Sequence, residues 1–132
     1  MIINGVQLED IDIADVFVME NYESAHDMVS DKIKNFSTDG KRTSHIIRFQ
    51  CETIFEFFEK VFGEGTAKKV FGESVNLTTC FTAYEEVIEA VRRLDKKAAE
   101  KMRTKINNQQ KQRHNHKKKK HYNNRPQPVN KS

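Results

Sequence analysis

Apolar residues recur at spacings of three and four through most of the first 94 positions, the period that puts side chains on one face of a helix. Asp12 or Asp15 can cap a first helix running to about Phe36, with Met19, Tyr22, His26, Val29, Ile33 and Phe36 on one face. A polar loop, STDGKRT from Ser37 to Thr43, follows, and Thr43 or Ser44 can cap the next helix. The second helix has the clearest pattern: Ile47, Cys51, Ile54, Phe55, Phe58, Val61 and Phe62 form an aromatic and aliphatic face. From about Asn76 a third long helix is predicted, burying Leu77, Phe81, Tyr84, Ile88, Val91 and Leu94. Beyond Leu94 the apolar face thins to Ala98, Met102 and Ile106.

Two short segments complete the expected fold. At the start, Met1 to Ile3 and Val6 to Leu8 flank Asn4-Gly5, the dipeptide suited to the two positive-φ positions of a tight hairpin turn. An isolated hairpin is marginal in water, so this one is expected to lie on the helices. Between the second and third long helices, FGEGTAKKVFGES (Phe62 to Ser74) carries three glycines. A phosphate-binding loop would need a preceding strand and a Gly-Lys-Ser or Gly-Lys-Thr ending, and both are missing. The segment instead predicts a stop at Gly63, a single-turn helix Ala67 to Phe71 capped by Thr66, and a second stop at Gly72.

Charge divides the 132-residue chain. Residues 1–91 hold 8 Lys/Arg against 17 Asp/Glu, whereas residues 92–132 hold 15 against 2. From Asn107 the sequence is NNQQKQRHNHKKKKHYNNRPQPVNKS, rich in Asn, Gln, Lys and His and almost free of aliphatic residues. Such a composition buries too little apolar surface to offset ordering entropy, so disorder is expected there. The predicted organisation is therefore mainly α: residues 1–106 form a three-helix domain with a short extra helix and an N-terminal β-hairpin. Residues 107–132 form a disordered basic tail. Lys117, Lys118, Lys119 and Lys120 are its candidate electrostatic contacts, for an acidic protein surface or, through counterion release, nucleic acid.

Catalytic chemistry has little to stand on. His26 and His45 occupy no metal or triad spacing, and Glu52, Glu56 and Glu59 fall on the polar side of the second helix, where a solvated face accounts for them. His114, His116 and His121 flank the four lysines without the frame a nuclease metal site needs. Cys51 and Cys80 lie in helical patterns and read as small buried hydrophobes of a reducing compartment. No catalytic, cofactor-binding or metal-binding residue is assigned, the chain is expected not to be an enzyme, and no apolar run suits a membrane span.

Three pieces carry a resemblance: INGV at Ile3 to Val6, RFQCETIFEFFEKVFGEGTAKKVFGESVNLTTC at Arg48 to Cys80, and AYEEVIEAV at Ala83 to Val91. Over about residues 1–94 the chain resembles a family of small proteins from the tail-gene clusters of phages and prophages of Gram-positive bacteria. That resemblance implies a tail assembly chaperone of the host cytoplasm, absent from the finished virion. Its implied partner is the tape-measure protein, whose helices it keeps soluble, with other tail proteins and self-association left open. Phe17, Phe49 and Phe57 lie off the main apolar stripes, which makes them candidates for an exposed, partner-binding aromatic surface. The alternative is a small nucleic-acid-associated or regulatory protein that acts through its basic tail.

Overall fold

The computed structural model describes the backbone of residues 1–124 and the side chains of residues 1–111. The elements are β1 (Ile2–Ile3), β2 (Val6–Gln7), α1 (Val16–Asn35), α2 (Thr43–Phe62), α3 (Thr66–Phe71) and α4 (Leu77–Asn124). The chain divides into two compact units, Met1–Leu94 and Asp95–Ser132.

In the first unit, β1 and β2 pair antiparallel, with Ile2 opposite Gln7 and Ile3 opposite Val6. The turn between them places Asn4 at φ 51° and Gly5 at φ 75°. This is the geometry for which Asn-Gly is suited, because asparagine tolerates and glycine prefers positive φ. Ile3 turns inward and is buried, while Ile2 is exposed. Asn4 then ties the hairpin down: its amide donates to the Val70 carbonyl at 2.8 Å, and its backbone N–H donates to Glu86 Oε1 at 2.8 Å.

Helix α1 begins where Asp15 caps it, accepting from the N–H groups of Phe17 and Val18 at 2.9 and 3.1 Å. It pairs antiparallel with α2. Asn21 donates to the Lys60 carbonyl and Tyr22 meets Phe57 toward one end, and Phe36 stacks on Phe49 at the other. Helix α2 starts at Thr43, with Arg42 at its N-cap and no side-chain cap; neither Thr43 nor Ser44 fills the role expected from the sequence. Asn76 does cap α4, accepting from the Thr79 N–H at 3.0 Å.

Helix α2 is central, and this corrects the expected burial pattern. Besides Cys51, Ile54 and Phe58, it buries Thr53 and Phe57. Phe57 meets Tyr22 of α1 at 6.2 Å and Tyr84 of α4 at 4.8 Å, both edge to face. With helices on two sides, the apolar arc of α2 is wider than one stripe, so a position off that stripe is still interior. Thr53 fits there because its hydroxyl donates to the Phe49 carbonyl one turn back at 2.8 Å. On α4 the buried set is Cys80, Ala83, Tyr84, Val87 and Val91, while Leu77, Phe81 and Ile88 are only partly buried. Small residues at 80 and 83 are buried more deeply than the large ones at 77 and 81, so the inward face of α4 is rotated from the line of largest side chains.

The corner between α2 and α4 is built differently from the sequence expectation. Gly63 ends α2 at φ 108°, a backbone that disfavours any side chain. Gly65, not Thr66, is the N-cap of α3, and Thr66 is its first, buried residue, donating its hydroxyl to the Gly63 carbonyl at 2.7 Å. The capping anion is Glu59, expected from sequence to be merely solvated. Its carboxylate reaches along the corner and accepts from the N–H groups of Gly65 and Ala67, each at 2.8 Å. These amides, Ala67 foremost and Gly65 next, hold the Glu59 pKa below its ordinary value of 4.5. Above that value the unfolded carboxylate is ionised too and the stabilisation is complete; as pH falls through the lowered folded value, it is lost. Glu59→Gln keeps one acceptor and loses the charge. At neutral pH it is expected to lower stability by about 1 kcal/mol, the usual scale for a helix cap. Urea denaturation at pH 7 and pH 3 checks this: the gap between wild type and variant should shrink sharply at the lower pH.

In the second unit, helical backbone continues to Asn124, past the boundary at residue 107 placed by the sequence reading. No glycine or proline interrupts residues 77–124, and Lys, Arg and Gln are good helix formers, so nothing local stops the helix. The described side chains from Asp95 to Lys111 are all exposed. The rest of the expected tail, residues 125–132, lies outside the described residues.

Candidate functional site

The three aromatics singled out from the sequence have different surroundings. Phe57 is 0% exposed and belongs to the core, so it is removed from any partner surface. Phe17 is 77% exposed and, with the 62% exposed Val16, forms an apolar step on the first turn of α1. Its backbone is fixed by the Asp15 cap, so the ring is presented from a defined position rather than from a loose end. Phe49 is half-buried on α2 and stacked against Phe36 with ring centroids 3.9 Å apart and planes 10° apart. The side chains of Lys117, Lys118, Lys119 and Lys120 lie outside the described residues.

Around Phe49 the structure gathers groups from the end of α1, the following loop and the start of α2. His45 stacks on the Phe36 ring at 6.1 Å, and the Lys41 ammonium sits 4.9 Å from the same ring, a cation–π contact. Lys41, Arg42, His45, Arg48, Phe49 and Glu52 line a shallow groove at this corner. Residues 9–31 carry eight Asp/Glu and no Lys/Arg, whereas residues 32–48 carry five Lys/Arg and one Asp. The body's charge is therefore polarised along α1, with the cations collected beside the aromatic stack. That clustering was visible in the sequence, but its coincidence with Phe36 and Phe49 needed the antiparallel pairing of α1 and α2.

The buried polar groups point to packing. Tyr84 hydrogen-bonds His26 Nδ1, and the His26 ring lies between those of Tyr22 and Tyr84. Burial pushes the Tyr84 phenol up to about 12 and raises that of Tyr22 as well. Cys51 and Cys80, far apart in sequence, meet in the core as free thiols, each 0% exposed. Burial first raises both, and the Cys80 thiol, beside Cys51, is pushed up to about 12. Phenols and thiols held protonated and away from solvent make poor nucleophiles. Among the described residues, no group of three or more His, Cys, Asp or Glu is placed to hold a metal ion. No helix among them is long and apolar enough to cross a membrane.

Residues 4–128 match a family described as "Family of unknown function (DUF6673)". The chain belongs to this family. The DUF6673 match spans both the helical body and most of the basic segment, so the two occur together in the family's pattern and the basic segment is not an addition outside it. Neither a curated protein nor a solved structure matches the chain.

Proposed function

We propose that this DUF6673 protein is a non-enzymatic tail assembly chaperone that binds helical segments of a phage tape-measure protein and keeps them soluble. The observation that carries the reading is the apolar step at Val16 and Phe17. It stays uncovered while Phe57, Phe58, Ile54 and Val87 already fill the core. A phenylalanine this exposed on a capped helix turn contributes nothing to folding and suits burial against an apolar partner face. The resemblance of residues 1–94 to tail-cluster proteins supplies the partner's identity, and the acidic body keeps such a carrier soluble while it holds an apolar client.

Co-expression with a phage tape-measure protein tests the proposal. The client should stay soluble and co-purify with the wild-type chain, and should aggregate when expressed alone. Aggregation to the same extent in both cases would remove the reading. The same experiment with residues 107–132 deleted shows whether the basic segment takes part. Salt-sensitive retention of DNA, lost on that deletion, would instead favour the nucleic-acid alternative.

A further inference from the structure

From the corner between α1 and α2 we infer a second binding site, one that takes an acidic protein segment bearing an aromatic or bulky apolar residue among its carboxylates. This stands on observations other than the exposed Phe17 and does not depend on the tape-measure reading.

Cations and aromatics are brought together here as nowhere else in the described residues. Five of the eight Lys/Arg of residues 1–91 fall between Lys32 and Arg48. Lys32 is committed to Glu56 at 2.7 Å. Lys41, Arg42 and Arg48 form no ion pair among the described residues, although Glu52 shares the groove they line. Three cations facing one groove without an ion pair make that groove complementary to an anion.

The Phe36 and Phe49 rings define what else the ligand needs. Lys41 and His45 lie against Phe36, which in turn stacks on Phe49 from α2. Phe49 lines the groove with Arg42 and Arg48, so an apolar ligand side chain set against that ring brings flanking carboxylates within reach of the two guanidinium groups. Arginine suits that role because its planar fork donates two parallel hydrogen bonds to a carboxylate.

The same chemistry argues against a nucleic-acid strand. A phosphate chain needs neutralisation along its length, but the groove is a single depression. Beyond it, residues 9–31 carry eight carboxylates without a cation, and residues 49–91 carry eight against three. A short acidic segment fits within the patch; a polyanion leaving it meets repulsion.

The test uses the full chain, labelled with nitrogen-15, and two capped pentapeptides, Asp-Glu-Phe-Glu-Asp and its neutral counterpart Asn-Gln-Phe-Gln-Asn. The acidic peptide should shift amide signals between residues 41 and 52 and bind there at least tenfold more tightly than the neutral one. The double variant Arg42→Glu/Arg48→Glu changes two exposed side chains and should lose that binding at least tenfold while keeping the wild-type amide pattern elsewhere. Three results would overturn the inference: no shift at residues 41–52 at millimolar peptide, shifts confined to the basic residues beyond Leu94, or equal binding of both peptides. Displacement of the acidic peptide from residues 41–52 by oligothymidylate would also overturn it, assigning the groove to nucleic acid.

Discussion

Phe57→Ala is expected to destabilise the body by about 3–5 kcal/mol, the range for deleting a buried aromatic side chain. Small domains have only about 5–15 kcal/mol in total, so the variant should be partly unfolded or melt well over 10 °C lower. The site cannot collapse to fill the cavity, because Phe57 is wedged between Tyr22 of α1 and Tyr84 of α4 with Phe58 beside it. Phe57→Leu keeps most of the volume and should cost far less. Phe17→Ala, at a ring 77% exposed, should stay within about 0.5 kcal/mol of wild type, as surface changes do. Thermal and urea denaturation followed by circular dichroism checks all three. A small effect at Phe57 together with a large one at Phe17 would invert the assignment of core and surface.

Native thiol reactivity gives the second large effect. With its pKa pushed up to about 12 from an ordinary 9.0 by burial, Cys80 holds little of the reactive thiolate at pH 8. Cys51 is raised too, and neither side chain is exposed. Labelling with an aromatic disulfide reagent should therefore be at least a thousandfold slower in the native state than in urea, and should follow the opening of the fold. Fast labelling of either cysteine in the native protein would contradict the closed core. The shift has a consequence for stability. Above pH 9 the unfolded thiol loses its proton while the folded one keeps it, so this contribution is complete below 9 and declines as pH rises toward 12.

The helices were legible because their apolar residues repeat at the helical period, and the hairpin because Asn4-Gly5 has one favoured geometry. Periodicity fails where an element is buried on two sides. One stripe was expected on α2, and the second contact, with α4, took Phe57 inside. It also understates small residues: Cys80 and Ala83 lie deeper than the larger Leu77 and Phe81. Glu59 was read as solvated because its cap partners, Gly65 and Ala67, lie beyond the end of its own helix. Phe17, off the apolar stripe of α1, is exposed on its first turn. The groove at Phe49 was only half legible: its ring was singled out, but the company of Lys41, Arg42, His45 and Arg48 depends on how α1 and α2 pair.

The most direct test of the proposed function is the affinity of the purified chain for tape-measure segments, measured for wild type and for Phe17→Glu. Losing a central interface aromatic and placing a charge there should cost about 2 kcal/mol or more, roughly a thirtyfold loss in affinity. The melting curve should be unchanged, because Phe17 lies outside the core. Equal affinity of the two proteins, or no binding by either, would contradict the account.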